Sequence, residues 1–110
     1  MTTLTLTTDT DFSAQALSNI DTVNFNFNFL NPDSFIVATF LAAQFSSGEI
    51  LSNVTFDSSI VTDSIVVNGG SLSAANWNFV AWSASDTITL NGSAASDSIT
   101  GSSMADSLFG

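Results

Sequence analysis

The chain reads as an all-β protein, a parallel β-solenoid in a single domain spanning residues 1–110, on three observations. The strongest helix formers are scarce: Glu, Gln, Lys and Arg together contribute only Gln15, Gln44 and Glu49, against ten Phe and many Ile, Val and Thr. Two separate blocks recur at one spacing. Asn53-Val54-Thr55-Phe56 returns as Asn76-Trp77-Asn78-Phe79, and Asp63-Ser64-Ile65-Val66-Val67-Asn68-Gly69 returns as Asp86-Thr87-Ile88-Thr89-Leu90-Asn91-Gly92, each 23 residues on. Beyond Gly92 the period becomes nine: units begin at Gly92 and Gly101, with Asp sixth (Asp97, Asp106) and a branched aliphatic eighth (Ile99, Leu108). A period in the low twenties suits one coil of stacked parallel strands, and two nine-residue units make a tighter coil of eighteen.

Taken in order, residues 1–47 form N-terminal strands and a cap-like region. Met1 to Thr10 alternates Thr and Leu, which predicts a short strand with Leu4 and Leu6 on one face. Asp11 to Asn19 reads as a helical turn or an irregular cap. Val23 to Phe29 is the clearest strand, with Val23, Phe25, Phe27 and Phe29 on one face and Asn24, Asn26 and Asn28 on the other, ended by Asn31-Pro32. The plain reading is a core-facing Phe row. The sharper one is a self-association surface, because Asn ladders stabilise stacked parallel strands. Ser34 to Phe45 fits neither period; it reads as buried, with a helical turn open at Leu41-Ala42-Ala43-Gln44. Residues 48–91 carry the 23-residue repeat, with Phe56, Ile65, Val67, Phe79, Ile88 and Leu90 inward. Residues 92–110 carry the nine-residue units, with Ile99 and Leu108 inward.

Charge narrows the function. Ten carboxylates face no Lys, Arg or His, for a net charge of −10. Nothing can neutralise phosphates, so nucleic acid is excluded as a partner and anionic membranes are disfavoured. No apolar run reaches the roughly eighteen residues that a membrane-spanning helix needs, so no membrane insertion is expected. No basic segment followed by an apolar run opens the sequence, so no N-terminal signal peptide is visible. Catalysis is not expected. His, Cys and Lys are all absent, which removes Ser-His and Cys-His nucleophiles, and Gly69-Gly70 lacks the Lys of a phosphate loop. Trp77 and Trp82 could stack on a sugar, but their spacing around Phe79 suits a core or rim better.

The units at 92–110 resemble the hemolysin-type calcium-binding repeats of RTX proteins, G-G-x-G-x-D-x-U-x, through Gly92, Asp97 and Ile99 and again Gly101, Asp106 and Leu108. The match covers about a quarter of the chain. The second and fourth glycines are replaced, by Ser93 and Ala95 and then by Ser102 and Met104. The resemblance implies a β-roll, Ca2+ held between turns on one side of successive coils, and export of the type I kind to the cell surface or outside. Carried over, the turn at Ser83–Asp86 faces the turn at Gly101–Asp106, which makes Asp86 and Asp106 the first metal candidates. Asp97, and Asp63 one repeat before Asp86, complete the set. The bland alternative is that these carboxylates bond their own turns, as Asp commonly does.

The function expected is a secreted structural protein, a calcium-associated solenoid subunit that forms a homo-oligomer or homopolymer, as a filament or surface layer. Leu108 and Phe109 are candidate contacts at its end. The alternatives are a non-catalytic calcium-binding module of a larger secreted enzyme or adhesin, and a cross-β amyloid matrix protein.

Overall fold

Alternation of apolar residues with Thr, Ser and Asn produces eleven strands and one short helix among the described residues of the computed structural model, which are 2–26, 35–59 and 62–109. The strands are β1 (Thr2–Leu6), β2 (Thr10–Asp11), β3 (Ile20–Phe25), β4 (Phe35–Leu41), β5 (Ile50–Asp57), β6 (Thr62–Asn68), β7 (Leu72–Ser73), β8 (Asn78–Val80), β9 (Thr87–Asn91), β10 (Ile99–Thr100) and β11 (Ser107–Phe109). The helix α1 covers Ala42–Ser46 and stops where Gly48 turns left-handed (φ +84°). The protein is all-β.

The strand pairings among the described residues are parallel, and strand order within each sheet follows the chain: β1-β3-β5-β8, β2-β4-β6-β9-β11, and the pair β7-β10. Parallel neighbours cannot be joined by a tight hairpin, so the chain visits the other sheet between returns to the same one. Register follows the sequence repeat. Thr55 and Phe56 pair with Asn78 and Phe79, and Ser64 to Val67 pair with Thr87 to Leu90, at the 23-residue spacing. The last layer is tighter, with Thr89, Leu90 and Asn91 beside Ser107, Leu108 and Phe109, eighteen residues on.

Period-two alternation sends one side of β1, β3, β4, β5, β6 and β9 into a single core. Val23, Phe56 and Val54 from one sheet meet Ile36, Phe40, Ile65, Val67, Ile88 and Leu90 from the other. Rings join the layers: Phe12 stacks on Phe40 at 5.3 Å, and Phe56 lies 4.9 Å from Trp77 and 5.9 Å from Phe79. Polar ladders run outside the core. Asn91 Nδ2 donates to Asn68 Oδ1 (2.8 Å), and Ser64 Oγ meets Thr87 Oγ1 (2.5 Å).

Several expectations change. The strand expected at Val23–Phe29 begins earlier and runs Ile20–Phe25; Phe27, Asn28 and Phe29 lie outside the described residues. Val23 and Phe25 are core residues, and β3 is flanked by β1 and β5, so neither side chain offers a contact surface. Asn24 is half-buried between Thr5 and Asp57, and Asn26 is exposed. Of the ambiguous stretch Ser34 to Phe45, Ser34 lies outside the described residues and the rest forms β4 followed by α1, which begins at Ala42 within the helical turn expected at Leu41–Gln44. It is not wholly buried, because Phe35 is 61% exposed and Leu41 also reaches solvent. Leu108, expected inward, is 48% exposed. It continues the register column of Phe40, Val67 and Leu90 at the open side of the sheet.

Candidate functional site

With no cations on side chains, the carboxylates must find other partners, and the backbone supplies them. Among the described residues, seven accept a backbone N–H: Asp9 from Val37, Asp11 from Ser13, Glu49 from Leu17, Asp63 from Ser59, Asp86 from Asp63 and Ser83, Asp97 from Ser93, and Asp106 from Ser102. Such charge-assisted bonds are among the stronger ones in proteins. The carboxylates therefore act as staples between turns and strand starts.

Two of the four metal candidates form one buried cluster. Asp63 opens the core-facing run of β6 and is 0% exposed; Asp86, buried as well, occupies the equivalent place one repeat later. Asp86 Oδ1 accepts the Asp63 N–H at 2.9 Å, and its Oδ2 accepts the Ser83 N–H at 2.8 Å. Ser58 Oγ lies between the two side chains, 2.6 Å from Asp63 Oδ2 and 3.0 Å from Asp86 Oδ2. Ser59 adds its N–H at 2.6 Å and its hydroxyl at 3.0 Å to Asp63. Burial pushes the Asp63 carboxyl above its ordinary value. The bonds from Ser58 and Ser59 oppose that rise, and the Asp86 charge adds to it.

The other two candidates are not brought together with this pair. Asp97 and Asp106 each close their own turn, in the same geometry. Ser93 N–H reaches Asp97 Oδ2 at 2.6 Å and its hydroxyl lies 3.1 Å from Oδ1; Ser102 N–H reaches Asp106 Oδ2 at 2.9 Å and its hydroxyl reaches Oδ1 at 2.7 Å. In both turns the serine oxygen also accepts an N–H two residues on, from Ala95 at 3.2 Å and from Met104 at 3.1 Å. Gly101 is required by this closure, since a Cβ there would stand 2.7 Å from Asp106 Oδ2. Neither Ala95 nor Met104 is left-handed; the described non-glycine residues with positive φ are Asn19 and Ala81. Without left-handed residues to turn carbonyls inward, and with the carboxylate oxygens already holding donors, these turns do not fit an ion held in the manner the resemblance implies. Among the described residues, no group of three or more His, Cys, Asp or Glu is placed to hold a metal.

The facing of the two turns is nevertheless visible. Trp82, Ser83, Ala84 and Asp86 line a cavity of about 150 Å³ with Met104 and Ala105 from the later turn. Asp106 is not among its lining residues. A second cavity, about 290 Å³, lies beside β7 and β10 and is lined by Phe45, Leu72, Thr100 and serines, with no titratable group. Trp77 is buried against Phe45 and Phe56, which removes it from any sugar-stacking role, and Trp82 is half-buried on Phe25 and Phe79.

The remaining feature is the sheet edges. At the β2 end of the second sheet the outer donors of β4 are occupied: Asp9 takes the Val37 N–H and Gln44 Oε1 takes the Leu41 N–H, at 2.9 Å each. Gln44 itself is buried and donates to the carbonyls of Phe12 and Gln15. The opposite edge, β11, has all three side chains exposed, Phe109 at 58%. The first sheet presents β1 at one edge and β8 at the other. Set against known proteins, the chain matches no family model, no curated protein and no solved structure.

The serines of these turns were missed by reading the Asp residues alone. Their signal is a fixed spacing: Ser59 and Asp63, Ser93 and Asp97, and Ser102 and Asp106 are each four residues apart.

Proposed function

We propose that the chain is a non-catalytic structural unit, a parallel β-solenoid that associates end to end with further copies outside the cell. The observation that carries this reading is where exposed apolar side chains fall. Among the described residues, the large exposed hydrophobics are Phe35 and Leu41 on β4, Val80 on β8, Met104 in the last turn, and Leu108 and Phe109 on β11. β8 and β11 are edge strands, and β4 pairs on its outer side with the two residues of β2, while Asp9 and Gln44 take its Val37 and Leu41 N–H groups. Apolar exposure thus concentrates at the two ends of the strand stack.

Parallel order makes those ends complementary. In the first sheet Thr5, Asn24, Asp57 and Val80 form one register column, and a second copy placed beyond β8 would continue it with its own Thr5. An edge strand offers unpaired N–H and C=O groups that template such an addition. Because the ends differ, the contact is heterologous and leads to an open chain of subunits. Several layers within one chain also set this reading apart from a cross-β fibril of single stacked segments. A non-catalytic module of a longer secreted protein is the other reading the β11 edge favours, since a following coil would pair there.

Sedimentation velocity at rising protein concentration tests the proposal. The native chain is expected to grow into elongated species, and Leu108→Asp/Phe109→Asp, which puts charge on the edge, is expected to stay monomeric. A native chain that remains a single monomeric species at high concentration would overturn it.

A further inference from the structure

Serine and aspartate in the last two turns form a repeated closure, and we infer that it does there what a bound calcium ion would otherwise do, so that the fold forms without metal. The inference rests on the turns alone and holds whether or not copies associate.

The geometry is the same twice. The residue after the unit's first glycine, Ser93 or Ser102, gives its N–H to one oxygen of the Asp four residues on, and its hydroxyl lies within bonding distance of the other oxygen. That hydroxyl oxygen in turn accepts the N–H of Ala95 or Met104. A carboxylate in a turn needs positive polarity around it, from a cation or from aligned donors. Here the donors are internal, and each serine bonds both the carboxylate and the turn backbone. Two sequence departures explain one another in this light. Serine replaces glycine where the hydroxyl is needed, and the fourth-position residue need not be glycine because its φ is not positive. The same closure occurs upstream, where the Ser59 N–H and hydroxyl bind Asp63, outside the nine-residue units. It is a general device of this chain for holding carboxylates without cations.

The consequence is that folding is not gated by calcium. A chain using this closure can fold wherever it is made, in chelator as well as in millimolar divalent ion.

Thermal unfolding of the full chain, followed by circular dichroism at matched ionic strength, distinguishes the possibilities. Three solutions are compared: chelator, magnesium chloride and calcium chloride. Magnesium controls for general screening of the −10 charge. The midpoint is expected to be the same in calcium and magnesium, with a folded spectrum in chelator. An ion held specifically at a hundred times its dissociation constant would instead raise the midpoint by roughly 10–20 °C. Ser93→Ala/Ser102→Ala is expected to lower the midpoint equally in all three solutions. A calcium-specific rise in the native chain that Asp97→Asn/Asp106→Asn abolishes would overturn the inference. So would a loss in the serine variant that calcium alone reverses.

Discussion

Replacing Phe56 with Ala is expected to cost about 3–5 kcal/mol, the range for a fully buried ring cut to a methyl group. The side chain is 0% exposed in the middle of β5, flanked in register by Val23 and Phe79. Its ring lies 4.9 Å from the Trp77 ring, which also meets Phe45 at 5.2 Å. Val23 and Phe79 sit on ladders and Phe45 on α1, and Trp77 immediately precedes β8 with its N–H bonded to the Ala74 carbonyl, so they cannot collapse into the space without breaking backbone pairing. The cavity therefore persists, and its lining loses dispersion contacts that nothing replaces. Urea unfolding reads the effect as a lower midpoint at unchanged slope. For a domain whose whole stability is about 5–15 kcal/mol, a loss of this size brings the variant close to unfolding. A loss below about 1.5 kcal/mol would mean that the site closes up, contrary to the packing described.

Asp63→Asn is expected to stabilise the protein at neutral pH. The reason is the Ser58 hydroxyl, which has one hydrogen for two carboxylate oxygens, 2.6 Å away on Asp63 and 3.0 Å away on Asp86. With both carboxylates ionised, one of these contacts sets lone pairs against lone pairs in a buried place. An amide at residue 63 relieves this: its carbonyl stays on the Oδ2 side to accept the Ser59 N–H, its NH2 meets the Ser59 hydroxyl on the Oδ1 side, and with one of the two charges gone the Ser58 hydroxyl donates to Asp86 against a neutral carbonyl. The gain is on the order of 1 kcal/mol, about 4–8 °C in midpoint for a small domain.

Its pH dependence has a definite sign. Burial, then the Asp86 charge, lift the Asp63 carboxyl above its ordinary value against the bonds from Ser58 and Ser59. A carboxyl raised in the fold contributes stability that is fully present below its unfolded pKa and is lost as pH rises through its folded one. The native chain should therefore fall behind the Asn variant at neutral pH and draw level below the ordinary carboxylate range. Asp11, held low by the hydroxyl and N–H of Ser13, and Glu49, held low by the Leu17 N–H and the Ser47 hydroxyl, work the opposite way. Their contribution is present above the ordinary range and fades as pH falls through their lowered values, equally in both proteins. The difference between the two midpoint curves thus isolates residue 63, and a gap that widens toward acid would contradict the shared-hydroxyl account.

The parts of this fold that could be read in advance are those where successive layers reuse the same side chains. Asn53-Val54-Thr55-Phe56 against Asn76-Trp77-Asn78-Phe79 marks the register directly, and the two glycine-led units mark the final eighteen-residue step. The earlier layers left no such trace. Leu4 pairs with Val23, nineteen residues on, and Phe35 with Thr62, twenty-seven on. Loops of unequal length and dissimilar partners erase the periodicity there, although each pair serves the same stack. The turn chemistry was half legible. The Asp positions stood out, but whether they hold ions or their own backbone depends on the serine four residues earlier and on the φ of Ala95 and Met104, which spacing alone does not reveal.

The most direct test of end-to-end association is a disulfide trap. Thr5 and Val80 stand at opposite ends of one register column, with Asn24 and Asp57 between them. At about 4.8 Å per strand they are roughly 14 Å apart within a chain, too far for a bridge. Between copies, Val80 of one would lie beside Thr5 of the next at bonding distance. The native sequence has no Cys, so Thr5→Cys/Val80→Cys introduces the only thiols. Mild oxidation of the double variant is predicted to give a ladder of covalent oligomers on a denaturing gel, while each single variant gives at most dimers. A double variant that stays monomeric, or stops at dimers, would contradict the account.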